Sequence, residues 1–580
     1  MRGSRSAQHT RARYPGGGTD LRTKRVRSVA IAAVVAAGLV LVVSACGGGG
    51  GSNDTTSTAS TQGKTFSQIK VVWGTTDYMD PGLSYRLESW QIFQDVYLGL
   101  VAKNPQTCGV GVGCTKIIPA IAEALPKSNS DGTDLKFTLR KGLKFSNGEP
   151  IKASDFKNSI IRDFKLNSPG IGFFSNIVGS EACEASPSKC SDISGIVVDD
   201  KAGTVEIKLS KPQSDFLYIL TTFFAAVVPS STPDKDTENP PPPADGPYYI
   251  SQYKPSRSFT VLRNPNWKSI PGIPDGNPDK ITAIMTNDLA QSAQYVQSGQ
   301  YDYDENTLPT DRLKQLQQKY GEQIKLWRTP STYYFFMNQR TPPFDKLEAR
   351  QAVNYAINRQ TLVDLRGGLG VPTWNFLPPT YPQYKKITPT PYPYNLEKAK
   401  QLVQKSGTAG MTVGVYTIGD DDIDKKQGEY LASQLDKIGW KTKLHELAGA
   451  NYFVIVGNQK TKAQIGFTDW FEDYPYPTDW FDVLQNGKNI HEQHNNNNSN
   501  VNFKDTNAEI DRLGHLPPSE AFSDETNAAW AALDKKLMVK YASQAPFLNG
   551  VITSFFSSRM DPTCDVFTDL FDDVAQMCLK

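Results

Sequence analysis

Few side chains of this 580-residue chain stand at spacings that could carry catalysis. The sequence contains neither the Gly-x-Ser-x-Gly elbow of a serine hydrolase nor a Walker-type phosphate loop. Ser-x-x-Lys tetrapeptides begin at Ser67, Ser154 and Ser186. Because no Ser-Asp-Asn or Lys-Thr-Gly motif accompanies them, such short matches are expected by chance. We therefore expect no catalytic residues and a protein that is not an enzyme.

Two short clusters contain residue types that bind cations. His491 and His494 stand in the asparagine-rich stretch 491–500, which we expect to be too polar to pack and to form a surface loop. Aspartates alternate over 420–424 as in a calcium loop, but Lys425 takes the place of the glycine that such a loop needs. This departure favours a solvated turn ahead of a helix. We expect no metal site and no cofactor.

Composition and charge exclude other classes of protein. The formal net charge of +2 gives no electrostatic basis for binding nucleic acid, and the aromatic content of 11% excludes a wholly disordered chain. Residues 1–45 hold eight Arg and Lys against one Asp, so the remaining chain has 54 basic and 59 acidic residues and a net charge of −5. Single hydrophobic cores stop growing near ~250–300 residues, so we expect an acidic body of more than one domain.

The N-terminal region has the pattern of an export signal. Basic residues at 22–27 precede a fifteen-residue apolar run at 29–43, shorter than the ~20 residues that span a bilayer. This order is typical of a secretory signal. The run ends in Val-Ser-Ala before Cys46, which resembles the lipobox of bacterial lipoproteins, where the cysteine is lipidated and becomes the mature N-terminus. The alternative is an ordinary signal peptide followed by a chance cysteine.

These features predict where the protein resides. We expect residues 1–45 to be a signal peptide with a lipobox. Residues 46–64 are rich in Gly, Ser and Thr and are expected to form a flexible tether. The protein would then be exported and anchored to the outer face of the cytoplasmic membrane by lipid on Cys46.

The six cysteines after Cys46 fall into three pairs of close neighbours. In an oxidising compartment such neighbours form local disulfides, although six cysteines allow fifteen connectivities. Zinc is disfavoured because the spacings are not of the short C-x₂-C type. The expected pairs are Cys108 with Cys114, Cys183 with Cys190, and Cys564 with Cys578.

Apolar periodicity predicts mixed α and β structure in the body. Residues 135–139 alternate between apolar and polar, as in a half-buried strand, and residues 205–209 do the same. A turn at 199–203 predicts that the second strand forms a hairpin with 196–198.

Helical spacing follows in the second half. Apolar residues over 349–357 predict a helix capped by Asp345 and stopped by glycines at 367–368. Further helices are predicted over 395–407 and 431–439, the last followed directly by a strand at 440–444. Helices that pass through a glycine into a strand are typical of α/β proteins.

Several motifs occur in a fixed order along the body. The longest covers 119–123 and 131–156 and includes Leu-Arg-Lys-Gly-Leu-Lys-Phe-Ser-Asn-Gly. Shorter ones stand at 79–81, 246–248, 263–267, 298–302 and 350–359. In these motifs the chain, from about residue 66 to its end, resembles the family 5 extracytoplasmic solute-binding proteins of ABC importers, the group that binds dipeptides, oligopeptides and nickel.

The resemblance implies an α/β fold of the type II periplasmic-binding-protein-like kind. Two lobes are joined by a hinge around a cleft, with an extra domain on the first lobe. By resemblance, lobe I takes residues 65–89, 244–328 and 546–580, the extra domain takes 90–243, and lobe II takes 329–545.

The resemblance also implies a function. Family members that bind peptides hold an extended peptide between the lobes by main-chain hydrogen bonds, and hinge closure buries it. The expected partners are a peptide ligand and the permease and ATPase subunits of an ABC transporter, and the protein is expected to be a monomer. A nickel chelate, an opine or a sugar are alternative ligands. An exported peptide hydrolase is the alternative of another class, but it would need a nucleophile–base pair or a metal cluster.

The ligand-facing residues follow from the same resemblance. The segment 469–475 resembles a loop of the family in which an aspartate, here Asp473, pairs with the α-ammonium of a peptide. The alternative is that Asp473 caps a turn before a proline.

Four aromatic residues complete the predicted site. Trp470 and Phe471 could stack on the ligand or belong to the core. Tyr85 is expected to contact the ligand from the loop after the motif at 79–81. In the extra domain, Phe173 or Phe174 could close the pocket, with Phe174 taken as the candidate, although core packing is the alternative.

Overall fold

The computed structural model of the protein describes residues 67–105, 115–568 and 570–580. All of them fall in one unit, Thr65–Lys580. The predicted signal peptide and tether, Cys46, and the predicted pair Cys108 and Cys114 lie outside the described residues.

A large mixed sheet forms the centre of the structure. Its strands run in the order β15-β14-β16-β12-β17-β11-β1-β10-β9-β8, and β13 also pairs with β17. A smaller sheet has the order β4-β5-β7-β6, and β2 pairs with β3. The strands of the described residues are β1 (Gln68–Trp73), β2 (Val101–Lys103), β3 (Ile117–Pro119), β4 (Lys127–Ser128), β5 (Asp134–Thr138), β6 (Ile196–Asp199), β7 (Thr204–Lys208), β8 (Tyr248–Lys254), β9 (Ser258–Arg263), β10 (Lys280–Met285), β11 (Tyr303–Asp304), β12 (Ile324–Met337), β13 (Gly370–Pro372), β14 (Thr412–Ile418), β15 (Lys441–Leu447), β16 (Ile465–Phe471) and β17 (Ala545–Phe556).

The two long strands β12 and β17 join the two lobes. They pair antiparallel over 324–328 with 551–555 and again over 332–335 with 545–549, with a shift of register between Arg328 and Thr332. The strands β16, β14 and β15 continue the sheet on the β12 side, and β11, β1, β10, β9 and β8 continue it on the β17 side. An interruption of register within a shared pair is a place where a sheet can bend.

The four-stranded sheet contains the strands that were predicted from the alternation of apolar and polar residues, so that prediction is confirmed. In β5, Leu135 and Phe137 are buried while Lys136 and Thr138 are exposed. The hairpin of β6 and β7 forms as predicted, with Asp199 paired to Thr204 at its closed end.

Helices surround both sheets. The helices of the described residues are α1 (Leu87–Val96), α2 (Ala153–Leu166), α3 (Ser180–Ala185), α4 (Phe216–Ile219), α5 (Leu289–Gln297), α6 (Leu313–Tyr320), α7 (Leu347–Ala356), α8 (Arg359–Leu365), α9 (Leu396–Lys405), α10 (Asp422–Lys437), α11 (Gly449–Val456), α12 (Thr478–Gln485), α13 (Lys504–Gly514) and α14 (Asp524–Lys535).

The predicted helices α9 and α10 are confirmed. The Asn395 side chain caps α9 by accepting a hydrogen bond from the Lys398 backbone N–H at 2.8 Å. Gly407 follows α9 with φ of 71°, and Gly439 follows α10 with φ of 106°. Both glycines adopt positive φ, which L side chains disfavour, so each helix stops where its sequence requires.

The helix predicted over 349–357 differs from the prediction at both ends. It begins after Lys346, and no side-chain hydrogen bond from Asp345 caps it, so the predicted cap is wrong. The chain also leaves the helix at Ile357 because the Asn358 side chain accepts hydrogen bonds from the two backbone N–H groups that start α8. Asparagine competes with continued helix in this way. The glycines at 367–368 therefore stop α8 rather than α7.

The asparagine-rich stretch 491–500 is a correction. Its first four residues are exposed, but Asn495 and most of the residues that follow are buried, so the prediction of a wholly surface loop is wrong. The Asn497 side chain donates to the carbonyl oxygens of Asn486 and Val501, at 3.2 and 3.0 Å. The Asn500 side chain donates to Oδ1 of Asn338 at 3.0 Å. A buried amide is tolerated when hydrogen bonds satisfy it, and these bonds satisfy the amide nitrogens of Asn497 and Asn500.

The core shows that the two lobes touch. Among the described residues, buried apolar side chains form three clusters. The largest includes β1, β8 and β9 on one side of the sheet and also Tyr474, Tyr476 and Trp480 from the chain that follows β16. A second cluster lies around β12, β14 and β16. Side chains of both predicted lobes therefore belong to one apolar cluster.

Candidate functional site

Asp473 lies on the loop between β16 and α12, at the contact between the lobes. Its side chain is buried, with 7% exposure. The Tyr85 hydroxyl donates a hydrogen bond to Oδ2 of Asp473 at 2.5 Å. Because Tyr85 follows β1 and Asp473 follows β16, this bond links the two sides of the large sheet.

Asp479 holds the loop that carries Asp473. It stands in the first turn of α12, where the helix dipole favours an acidic side chain. Its carboxyl group accepts hydrogen bonds from the Asp473 backbone N–H at 3.1 Å and from the Trp470 indole at 3.3 Å. Asp479 therefore holds the backbone of the loop that carries Asp473.

The electrostatics of Asp473 follow from its burial. Burial raises its pKa to about 7, although the Tyr85 hydrogen bond, the charge of Lys103 and the Asp479 carboxyl group each lower it. Burial and the nearby charge of Asp473 raise the pKa of Asp479 well above its usual range. Between two adjacent buried carboxyl groups one proton is favoured, so the pair carries a single negative charge near neutral pH. With a pKa of about 7, Asp473 titrates in this range.

Tyr85 is positioned by its own loop. Its backbone N–H donates to Asp77 at 2.8 Å. Its ring stacks on Trp90 with ring centres 5.7 Å apart and meets the edge of Phe224 at 5.3 Å. These contacts fix the orientation of the Tyr85 ring, so its hydroxyl group points towards Asp473.

A buried ion pair fixes the start of this loop. The Arg162 guanidinium on α2 donates to both carboxylate oxygens of Asp80, at 2.9 and 2.5 Å. Thr237 also donates to Asp80 through its hydroxyl group at 2.8 Å. Bidentate pairing compensates a charge that is fully buried. Asp80 of the motif at 79–81 therefore has a structural role in holding the Tyr85 loop.

A cavity of about 110 Å³ lies beside Asp473. A water molecule needs on the order of 10–15 Å³ by this measure, so the cavity has room for several waters. Its walls are largely apolar, and its charged side chains are those of Lys103, Asp95, Asp473 and Asp573. All of its lining residues except Asp473 belong to the predicted first lobe and its extra domain, and Asp473 reaches the cavity from the predicted second lobe.

A second contact closes the cleft near Asp473. Asp215, in the region between β7 and α4, accepts hydrogen bonds from the hydroxyl groups of Tyr474, at 3.2 Å, and of Thr478. The ring of Tyr218 stacks on Tyr476 with centres 6.3 Å apart. The predicted extra domain therefore touches the same loop that carries Asp473.

The structure separates the predicted aromatic residues from the cavity. Phe174 is fully buried in the core, whereas the half-buried Phe173 meets the edge of Tyr474 at 5.9 Å. Trp470 is bonded to Asp479, and Phe471 packs edge-on against Tyr333 at 5.9 Å. Of the five predicted residues, Asp473 lines the cavity and Tyr85 bonds to it.

Four charged residues of this region were missed at the level of sequence. Asp479 could have been found, because an acidic residue two positions after Pro477 suits the first turn of a helix. Lys103, Asp95 and Asp573 line the cavity. No local pattern could have joined these three, because Asp573 lies close to the end of the chain and the other two near its beginning.

Disulfides stabilise two local segments. Among the described cysteines, Cys183 is bonded to Cys190 and Cys564 to Cys578. Over residues 67–105, 115–568 and 570–580, no helix is both long and apolar enough to cross a bilayer.

Two lobes that share two strands and meet at a buried carboxyl group beside a cavity define a protein that binds a small solute. A family model agrees with this class. It matches residues 116–492, which is more than half of the chain. The chain belongs to the bacterial extracellular solute-binding proteins, family 5.

Relatives with known names share most of the chain. It is 26% identical over 527 residues to heme-binding protein A of Haemophilus influenzae, covering 85% of this chain and 88% of that one. It is 24% identical over 393 residues to the periplasmic oligopeptide-binding protein OppA of Escherichia coli, covering 65% of this chain and 70% of that one.

A solved structure shares the fold. Clavulanic acid biosynthesis oligopeptide binding protein 2 superposes with a TM-score of 0.76 at 21% identity, covering 89% of this chain and 96% of that one. The two-lobed α/β fold predicted from the sequence is confirmed.

Proposed function

We propose that the protein captures oligopeptides or dipeptides between its lobes and holds the ligand's α-ammonium at Asp473. The observation that carries this proposal is the buried carboxyl group of Asp473, which lines the cavity and is bonded across the cleft to Tyr85. A charge-assisted hydrogen bond from an ammonium group to such a carboxylate contributes ~1.5–3 kcal/mol. Relatives named as oligopeptide-binding proteins support the peptide class.

Binding would follow a cycle of opening and closing. The cavity is too small for a whole peptide, so the Tyr85–Asp473 and Asp215–Thr478 contacts would part and form again around the ligand. An extended peptide would pair its main chain with the protein, and water would fill the space around its side chains. Differential affinity for the closed state would then drive closure.

Export and delivery complete the proposal. The protein would be exported, anchored by lipid on Cys46 to the outer face of the cytoplasmic membrane, and act as a monomer. It would pass the peptide to a membrane permease driven by an ATPase. The apolar run before Cys46 and the family membership support this arrangement. The peptide would be released unchanged, so the protein would not act as a hydrolase.

Calorimetry with a blocked and an unblocked peptide tests the proposal. We expect the native protein to bind trialanine at least tenfold more tightly than N-acetyl-trialanine, because acetylation removes the ammonium group. Asp473→Asn should bind both peptides weakly and alike. Asp482→Asn is the matched control, because this carboxylate lies on α12 but bonds Lys488 and does not line the cavity.

Several outcomes would overturn the proposal. Equal affinity of the native protein for the two peptides would exclude the role of the ammonium group. Chromatography of the recovered peptide should show it intact, and cleavage would support a hydrolase. Binding of haem, a nickel chelate, an opine or a sugar, with no binding of peptides, would replace the peptide class.

A further inference from the structure

A pair of buried acids lines the same cavity as Asp473. Asp95 and Asp573 are 6% and 4% exposed. Burial and the charge of Asp573 raise the pKa of Asp95 well above its usual range, and burial raises the pKa of Asp573, so the pair favours holding a proton. Oδ2 of Asp95 has no hydrogen-bond partner among the described residues. The pair therefore offers a buried carboxyl oxygen that the described residues leave unused.

The fold holds the pair in place without neutralising it. Asp573 accepts hydrogen bonds from the Gln576 side chain at 2.5 Å and from the Ala575 backbone at 3.1 Å. Asp95 stands in the last turn of α1, where the negative end of the helix dipole favours a cation rather than an acid. Burial and, to a smaller extent, the charges of both acids raise the pKa of Tyr248. A cation in the cavity would relieve this concentration of negative charge.

The rest of the lining suits an extended basic side chain. Lys103 is the basic residue among the described lining residues, and its charge acts on Asp473. Three acids therefore face one lysine. Lysine and arginine side chains pack their alkyl stems on apolar surface. The remaining walls would supply such a surface through apolar side chains that include Leu98, Val101, Phe223, Ile273 and Leu570.

We infer that the protein selects peptides with a second cationic group, a lysine or arginine side chain bound at Asp95 and Asp573 while the α-ammonium is bound at Asp473. This inference rests on the proposed function, because it uses the same cavity. It goes further in naming basic peptides as the preferred substrate class.

Tripeptides that differ by one amino group test the inference without any mutation. The probes are Lys-Ala-Ala, Ala-Lys-Ala and Ala-Ala-Lys, each paired with the same peptide carrying norleucine in place of lysine. Norleucine keeps the alkyl chain and removes the charge. At one position we expect calorimetry to show lysine binding at least tenfold more tightly, which corresponds to ~1.4 kcal/mol.

Variants then assign the preference to the acidic pair. Replacing both acids, Asp95→Asn with Asp573→Asn, should reduce the ratio of lysine to norleucine affinity to about one. The matched control replaces Asp565 and Asp572 by Asn, because these neighbouring acids also affect each other's pKa but do not line this cavity. The control should keep the preference. Melting temperatures without ligand report whether each variant folds.

The outcomes separate this inference from the proposed function. If trialanine binds but lysine and norleucine peptides bind alike at all three positions, the inference is wrong and the proposed function stands. A preference that survives loss of both acids also overturns it. If no tripeptide binds, the proposed function fails, and thermal shifts with 1,5-diaminopentane and pentylamine test the cavity alone. No preference for the diamine would then overturn the inference as well.

Discussion

Acidification should weaken the binding of any peptide that has a free N-terminus. Burial raises the pKa of Asp473 to about 7, so this carboxyl group is largely protonated at pH 5 and largely ionised at pH 8. An ammonium group binds the ionised form. Below pH 7 the ligand must therefore displace a proton before it can pair with Asp473.

The size of the effect follows from the pKa. Each pH unit below the pKa costs about 1.36 kcal/mol, or a factor of about ten in affinity. At pH 5 the dissociation constant for trialanine should be about a hundredfold higher than its best value, a loss of ~2.7 kcal/mol. The α-amino group of the ligand loses its proton at about pH 8, so affinity should peak between about pH 7 and 8.

Calorimetry of trialanine from pH 5 to 9 measures this profile. Asp473→Asn should be weak throughout and should lose the dependence between pH 5 and 7. Native affinity that stays constant from pH 5 to 7 would refute the reasoning. The same slope in Asp473→Asn would also refute it, because another group would then carry the dependence.

Three further substitutions test the elements around the site. Tyr85→Phe removes a hydrogen bond to a charged group, which contributes ~1.5–3 kcal/mol. Calorimetry should show trialanine binding weakened about tenfold to a hundredfold. An unchanged dissociation constant would contradict a role of this bond in binding. Arg162→Ala leaves the Asp80 charge buried without its partner and should destabilise the protein by about 3–5 kcal/mol, seen as a large fall in melting temperature. Asn497→Ala removes buried hydrogen bonds and should cost about 1–3 kcal/mol, while the exposed Asn496→Ala should change stability by less than about 0.5 kcal/mol. Equal melting temperatures for these two variants would contradict the buried role of the asparagine run.

Local signals in the sequence were enough to predict several elements. The strand β5 and the helices α9 and α10 each bury the face that their apolar spacing marks. Asn395 and Gly407 bound α9 because a side-chain cap and a positive φ are encoded by single residues. Signals of this kind act within a few residues, so they are readable without tertiary structure.

Competition between neighbouring signals explains the error in α7 and α8. Asp345 and Asn358 are both residue types that can cap the N-terminus of a helix. The spacing of apolar residues does not show at which of the two positions a capped helix begins. In the structure Asn358 caps a new helix, and the predicted single helix becomes two. The buried asparagines at 495–500 were missed for a related reason, because their bonds run partly to residues distant in sequence such as Asn338.

The candidate site was only partly predictable. Resemblance pointed to Asp473 and Tyr85, and the structure brings these two together. The resemblance did not show which of Phe173 and Phe174 is buried in the core. The directions of adjacent side chains in a short turn are set by the folded structure and not by the local sequence. The acidic pair formed by Asp95 and Asp573 depends on contact between α1 and the end of the chain, which no local pattern reports.

The most direct test of peptide capture at Asp473 is mass spectrometry of the ligand released by denaturing the protein after purification from its own host. We expect intact peptides with free N-termini, recovered from the native protein and depleted from Asp473→Asn. Release of a solute that lacks an ammonium group, in equal amounts from both proteins, would contradict this function.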